Sequence, residues 1–172
     1  MGLRNDSEGY GLVTKFLHWL MLGALTAQFV VGYSMVRRDE ELLLPVHVAL
    51  GVGILVLAVV RVLWRASGTL PQWADGLSTL ERSIASWVER LLYVLMFLIP
   101  LTGLSLVLAS GEDWDIGESG EWQAPFELAD SDVLLSAHIA TQLTFFTLLA
   151  VHIAIVLKHQ LVDRDRLLNR ML

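Results

Sequence analysis

The stretch SDVLLSAHIATQLTFFTLLAVHIAIVLKHQ spans residues 131–160. Its apolar part is long enough to cross a hydrocarbon slab of roughly 30 Å. Two histidines, His138 and His152, lie inside it as His-x13-His. Fourteen residues of helix rise about 21 Å, and at about 100° per residue the second side chain returns to within roughly 40° of the first. One helix therefore presents two imidazoles on one face, one near each edge of the slab. Histidine inside a membrane is costly and marks function. His18 and His47 sit in two further apolar runs, so four intramembrane histidines sort into two depths. That arrangement suggests two haems stacked across a membrane.

The rest of the chain agrees with a solvent of lipid. Of 172 residues 55% are hydrophobic, and the mean hydropathy is +0.58. The apolar residues fall into blocks at 14–36, 45–66, 84–110 and 131–157, each near or above the roughly 20 residues that a spanning helix needs. The expected fold is all-α, a transmembrane four-helix bundle forming a single domain over residues 1–172. Pro45 suits the first turn of the second helix, Pro100 and Gly103 predict a kink in the third, and Asp130 or Ser131 caps the fourth. Residues 67–80 read as a loop, and residues 110–130 as the longest one. The polar start and the long first block predict no cleavable signal, so that the first helix directs its own insertion. With no cysteine, disulfides, iron–sulfur clusters and covalent haem attachment are excluded.

Charge sets the orientation. Arg4, Lys15, Arg61, Arg65, Arg82, Arg90, Lys158, Arg164, Arg166 and Arg170 fall on one side of the threading, leaving only Arg37 and Arg38 of the 12 basic residues opposite. The positive-inside rule makes the basic side the cytoplasm and places both termini there. Between the third and fourth helices, Glu112, Asp113, Asp115, Glu118, Glu121, Glu127, Asp130 and Asp132 occur with no basic residue. The net charge of −6 is thus mostly an outward-facing acidic cap, and nucleic acid is excluded as a partner.

Antiparallel threading pairs His47 with His138 at the outer depth and His18 with His152 at the inner one. Bis-histidine ligation from facing helices is how a bundle holds b-type haem for electron transfer. Arg61, fourteen residues after His47, projects at inner depth, where it either pairs with a propionate or snorkels to the interface. Gly32, fourteen after His18, and Gly51, four after His47, either admit a porphyrin or serve helix packing. His159 returns to the face of His152 at the membrane edge, as a ligand, a propionate or quinone contact, or a solvated residue. The six tryptophans fall near the interfaces as an aromatic belt. Gln28, Gln142, Thr141 and Thr144 read as polar contacts within the bundle.

These residues resemble the bacterial di-haem cytochrome b561 family over essentially the whole chain. The resemblance rests on Leu17-His18-Trp19-Leu20, on His47 after Pro45 with Gly51 behind it, and on Val60-Arg61-Val62-Leu63-Trp64-Arg65. It extends through Pro100-Leu101-Thr102-Gly103-Leu104, His138-x13-His152, His159 and the tail Arg166-Leu167-Leu168-Asn169-Arg170. It implies a multi-pass protein of the bacterial inner membrane, in contact with lipid, with two haem b groups. It implies oxidoreductase activity between a periplasmic donor and the quinone pool, with ubiquinone as acceptor. In some members the donor is superoxide, and Arg37 and Arg38 beside the outer haem edge are then the candidate catalytic residues. A soluble redox protein is the other kind of donor. The alternative is a cytochrome b subunit anchoring a hydrogenase- or formate-dehydrogenase-like complex. The acidic cap departs from the family pattern, because it repels an anion and suits a cationic partner.

Overall fold

The computed structural model describes residues 2–7, 9–38, 43–73, 77–115, 120–164 and 167–172, the side chains of Arg38 and Asp115 excepted. Four long helices dominate: α1 (Leu12–Arg38), α2 (Leu44–Ala66), α3 (Thr79–Ala109) and α4 (Ser131–Lys158). All four are long and apolar enough to cross a membrane. The expected blocks coincide with them except at the start of α3, which lies ahead of the apolar run at 84–110. A capping box explains the difference: Ser78 Oγ accepts from the Glu81 backbone N–H at 3.2 Å, and Glu81 Oε2 accepts from the Ser78 N–H at 2.9 Å. Two otherwise orphaned donors are satisfied, so a polar turn that hydropathy does not see joins the helix. Asp130 caps α4, its Oδ1 accepting from the Asp132 N–H at 2.9 Å. Pro45 stands in the first turn of α2, where a missing N–H costs nothing.

The long loop has structure of its own. Strands β1 (Asp113–Asp115) and β2 (Glu121–Gln123) pair antiparallel with Trp114 opposite Trp122. Beyond α4 the chain continues as a π-helical turn, His159–Asp163, closed by Arg164 in a left-handed conformation, and then a 3-10 turn, Leu167–Arg170.

The helices run up and down. α1 packs on α2, α2 on α3 and α3 on α4, and an edge contact of Phe29 with Phe146 at 5.1 Å joins α1 to α4. The buried centre is Met21, Ile54, Ala58, Leu95, Met96 and Phe145, drawn from all four helices and lying between the two histidine levels. The outward faces stay apolar, with Val30, Val56, Leu63, Leu143 and Ile153 all exposed. Backbone groups satisfied within helices and apolar side chains turned outward together suit hydrocarbon, not water.

The two ends differ. At one, here called the terminal end, the N-terminal segment, the α2–α3 connection and the C-terminal tail are laced together. Asn5 Nδ2 donates to Thr69 O at 3.1 Å, Arg170 Nη2 to Gln72 O at 2.8 Å, and Trp19 Nε1 to Met171 O at 2.9 Å. Lys158 bridges Glu81 at 2.6 Å and Asp163 at 2.7 Å. The opposite end carries the acidic β1–β2 hairpin.

Candidate functional site

At the hairpin end His47 and His138 face one another across the bundle, ring centroids 6.3 Å apart and planes at 86°. Two imidazoles on opposite sides of one metal ion, each bonded at about 2 Å, need a similar separation. Both rings line a cavity of about 460 Å³ that reaches from the bundle interior to Glu112, Asp113 and Trp114. Each Nε2 is held by a glutamine amide: Gln28 Nε2 donates to His47 Nε2 at 3.1 Å, and Gln142 Nε2 to His138 Nε2 at 2.9 Å. An amide nitrogen only donates, so both Nε2 atoms offer lone pairs, the form in which imidazole binds a metal. Thr102 Oγ1 lies 2.9 Å from the Leu98 and Ile99 carbonyls and 3.0 Å from His138 Nδ1. Its single proton serves a carbonyl, and its lone pair accepts from the imidazole Nδ1–H. That contact fixes tautomer and ring orientation, as a partner behind a metal ligand does.

Glycines shape the same space. A Cβ at Gly103 would lie 2.9 Å from His138 Cε1, and one at Gly32 would lie 3.0 Å from His47 Cε1. Both positions therefore keep a ring in place by having no side chain. Gly51 is different, since a Cβ there would meet Gln28 Nε2 at an ordinary 3.6 Å.

At the terminal end Arg61 Nη2 donates to His18 Nδ1 at 3.0 Å. The guanidinium stands over Tyr93 at 5.5 Å, and Arg65 lies at 5.6 Å from the same ring. Arg65 is neutralised by Glu89 at 2.7 Å. Arg61 has no carboxylate partner among the described residues, so it does not snorkel away from the bundle but stays beside the imidazole. Lys15, one turn before His18, is only 7% exposed and likewise pairs with no carboxylate among the described residues.

The remaining sequence candidates fall elsewhere. His159 is 2% exposed and lies 3.1 Å from Asp163 through Nδ1, so it is not the solvated interfacial residue that was one of its readings. Glu81, His159 and Asp163 cluster closely enough to hold a metal ion, but Lys158 already neutralises both carboxylates. Arg37 is exposed and rests over Tyr33 at 5.9 Å. It is not among the residues lining the cavity, and the side chain of Arg38 lies outside the described residues. The contacts of Thr102, Gly103, Gln28 and Gln142 with a histidine and the place of Trp114 on the cavity were not legible in the sequence, because helix registers across the bundle decide which groups meet a histidine.

A model of the prokaryotic cytochrome b561 family matches residues 9–172. The chain belongs to that family. It is 29% identical to cytochrome b561 homolog 2 of Escherichia coli, the match covering 100% of this chain and 95% of that protein. It is 28% identical to cytochrome b562 of Cereibacter sphaeroides over 97% of both chains, and 25% identical to a probable superoxide oxidase of Yersinia pestis over 95% of both. Membership makes this cytochrome b561 a multi-pass bacterial membrane protein that carries electrons on haem b. The hairpin-end residues fit that group. The rings are suitably spaced, and the cavity is apolar between them. Glycines stand where a Cβ would displace either ring. The terminal end fits by its donor set: two imidazoles, and two cations with no carboxylate partner among the described residues.

Proposed function

We propose that this cytochrome b561 moves electrons between two b haems, one held by His47 and His138 and the other by His18 and His152, within a single domain covering residues 1–172. The observation that carries the reading is the His47–His138 separation of 6.3 Å across a shared cavity. The spacing His138-x13-His152 supplies the second level on the same helix. Bound haem supplies one-electron iron chemistry, and the protein supplies ligands, orientation and exclusion of water. Two histidines would complete the ligand set of each haem, which would favour electron transfer over oxygen binding. Thr102 holds the His138 ring through Nδ1, and Gly32 and Gly103 hold space beside the rings. Gln28 and Gln142 would have to give up the Nε2 atoms for these to hold a metal. Arg61 suits a propionate better than the imidazole it now touches, because a guanidinium binds a carboxylate through two parallel hydrogen bonds.

The basic residues gather at the terminal end, which supports a cytoplasmic location for both termini and insertion in the inner membrane. The donor then meets the hairpin end, and the quinone pool, with ubiquinone the candidate, is the acceptor within the membrane. A superoxide donor is supported by the name of the Yersinia pestis relative. Against it stand Glu112, Asp113 and Asp132 at the mouth of the cavity, which repel an anion. The same carboxylates favour a second reading, a cationic soluble redox protein docking on this face.

The test is a dithionite-reduced minus oxidised spectrum with a pyridine haemochrome assay on detergent-purified protein. Two b haems per chain are expected. One haem would reduce the site to the His47–His138 pair, and none would overturn the reading. Superoxide-dependent quinone reduction by the purified protein, against copurification of a soluble redox subunit, separates the two donors.

A further inference from the structure

We propose that unequal charge at the two ends sets the direction of electron flow, making the hairpin-end centre the weaker oxidant and the terminal-end centre the stronger. This inference rests on the two-haem reading above. Reducing a ferric centre adds one negative charge. A nearby cation therefore stabilises the reduced form and raises the potential, and a nearby carboxylate lowers it.

At the terminal end Arg61 touches His18 at 3.0 Å, and Lys15 is buried one turn away. Neither has a carboxylate partner among the described residues, whereas the nearby Glu89 is neutralised by Arg65 at 2.7 Å. With haem bound, Arg61 would offset the charge of a propionate beside the His18–His152 pair, and Lys15, on the helix of His18, would add a further cation at this end. The hairpin end is the reverse. Glu112, Asp113 and Asp132 line the cavity that holds His47 and His138, and among the described residues no Lys or Arg side chain does. Arg37, the candidate counter-charge, is turned onto Tyr33.

The two contributions are unequal in size. Glu112, Asp113 and Asp132 are exposed, so water and salt screen them. Lys15 is buried and Arg61 half-buried, where screening is weak and the Coulomb interaction larger. The terminal-end cations therefore make the greater part of the potential gap. An electron passing from the hairpin-end iron to the terminal-end iron oxidises the first and reduces the second, with no proton or bond exchanged, and this transfer is downhill. The hydrophobic layer of Met21, Ile54, Ala58, Leu95, Met96 and Phe145 separates the two levels and keeps water from screening one end's charges at the other.

The experiment is a potentiometric titration of the haem absorbance in the purified full-length protein, with haem counted by pyridine haemochrome in every preparation. His138→Ala, which keeps the terminal-end haem, is expected to retain the high-potential component, and His152→Ala the low one. Arg61→Gln lowers the high component, Arg61→Lys holds it near its original value, and Lys15→Gln lowers it without touching a ligand. Glu112→Gln/Asp113→Asn/Asp132→Asn raises the low component by a smaller shift that shrinks as salt is added. Should Arg61→Gln lose its haem, Lys15→Gln and the triple variant decide the matter alone. The proposal is overturned if His138→Ala leaves the low component or His152→Ala leaves the high one. It is equally overturned if Lys15→Gln and the triple variant leave both midpoints where they were. Preparations with no haem at all would overturn instead the reading on which the proposal rests.

Discussion

At the hairpin end, two imidazoles face each other over a cavity, their ring nitrogens meet neutral partners, and exposed carboxylates line the same cavity. At the terminal end a guanidinium is hydrogen-bonded directly to one imidazole, and a buried ammonium lies a turn away. The same pair of ligand types thus meets two different fields. Neutral partners orient a ring without altering its charge balance, whereas a cation at 3.0 Å acts on whatever charge the ring or its occupant carries. The lesson is that ligand identity sets which group binds, while the charges behind the ligands set what that group does.

The comparison can be broken most severely at the ligands. His138→Ala is expected to remove the hairpin-end haem and halve the haem content, leaving the terminal-end spectrum intact, and His152→Ala should do the converse. Equal loss from both ends in either variant, measured by pyridine haemochrome and low-temperature difference spectra, would end the two-level assignment. Somewhat smaller effects come from the space around the rings. Gly103→Val places a side chain where a single Cβ already lies 2.9 Å from His138, so most hairpin-end haem is expected to be lost. Gly51→Ala, at an ordinary contact distance, should leave haem content unchanged, and a loss there would show that Gly51 shapes the site after all. Thr102→Val keeps the volume but removes the acceptor of His138 Nδ1–H. Haem affinity at the hairpin end should fall about 10- to 100-fold, read as haem transfer to an acceptor apoprotein, with the terminal end unaffected. The smallest effect lies outside both sites. Ser78→Ala removes the α3 capping box and should lower thermal stability in detergent by about 1 kcal/mol, with both haem signals unchanged.

Much of this was legible before any folding. Histidines spaced fourteen apart in one apolar run define two levels on one helix face, because helical rise and twist are local properties of the backbone. The lengths of the apolar blocks, the placement of Pro45 and the choice of Asp130 as a cap follow from equally local rules. Where local rules depended on lipid hydropathy alone they stopped short, as at the polar first turn of α3, which Ser78 and Glu81 add by capping. The hairpin inside the acidic loop was hidden for a related reason. Asp-Trp-Asp and Glu-Trp-Gln alternate polar and apolar residues over only three positions, too short a run to read as strands, and their pairing is fixed across the turn.

What the chain determined by itself was the set of helices, their order, the four intramembrane histidines and the imbalance of charge along the sequence. Membership of the cytochrome b561 family follows from the same residues. Only the tertiary structure decided that Arg61 meets His18, that Gly103 and Thr102 of α3 stand against His138 of α4, that Lys15 is buried, and that Arg37 rests over Tyr33. Each of these depends on the rotation and offset of one helix against another. Those are set by side-chain packing summed over the whole interface, which no spacing within a single helix encodes.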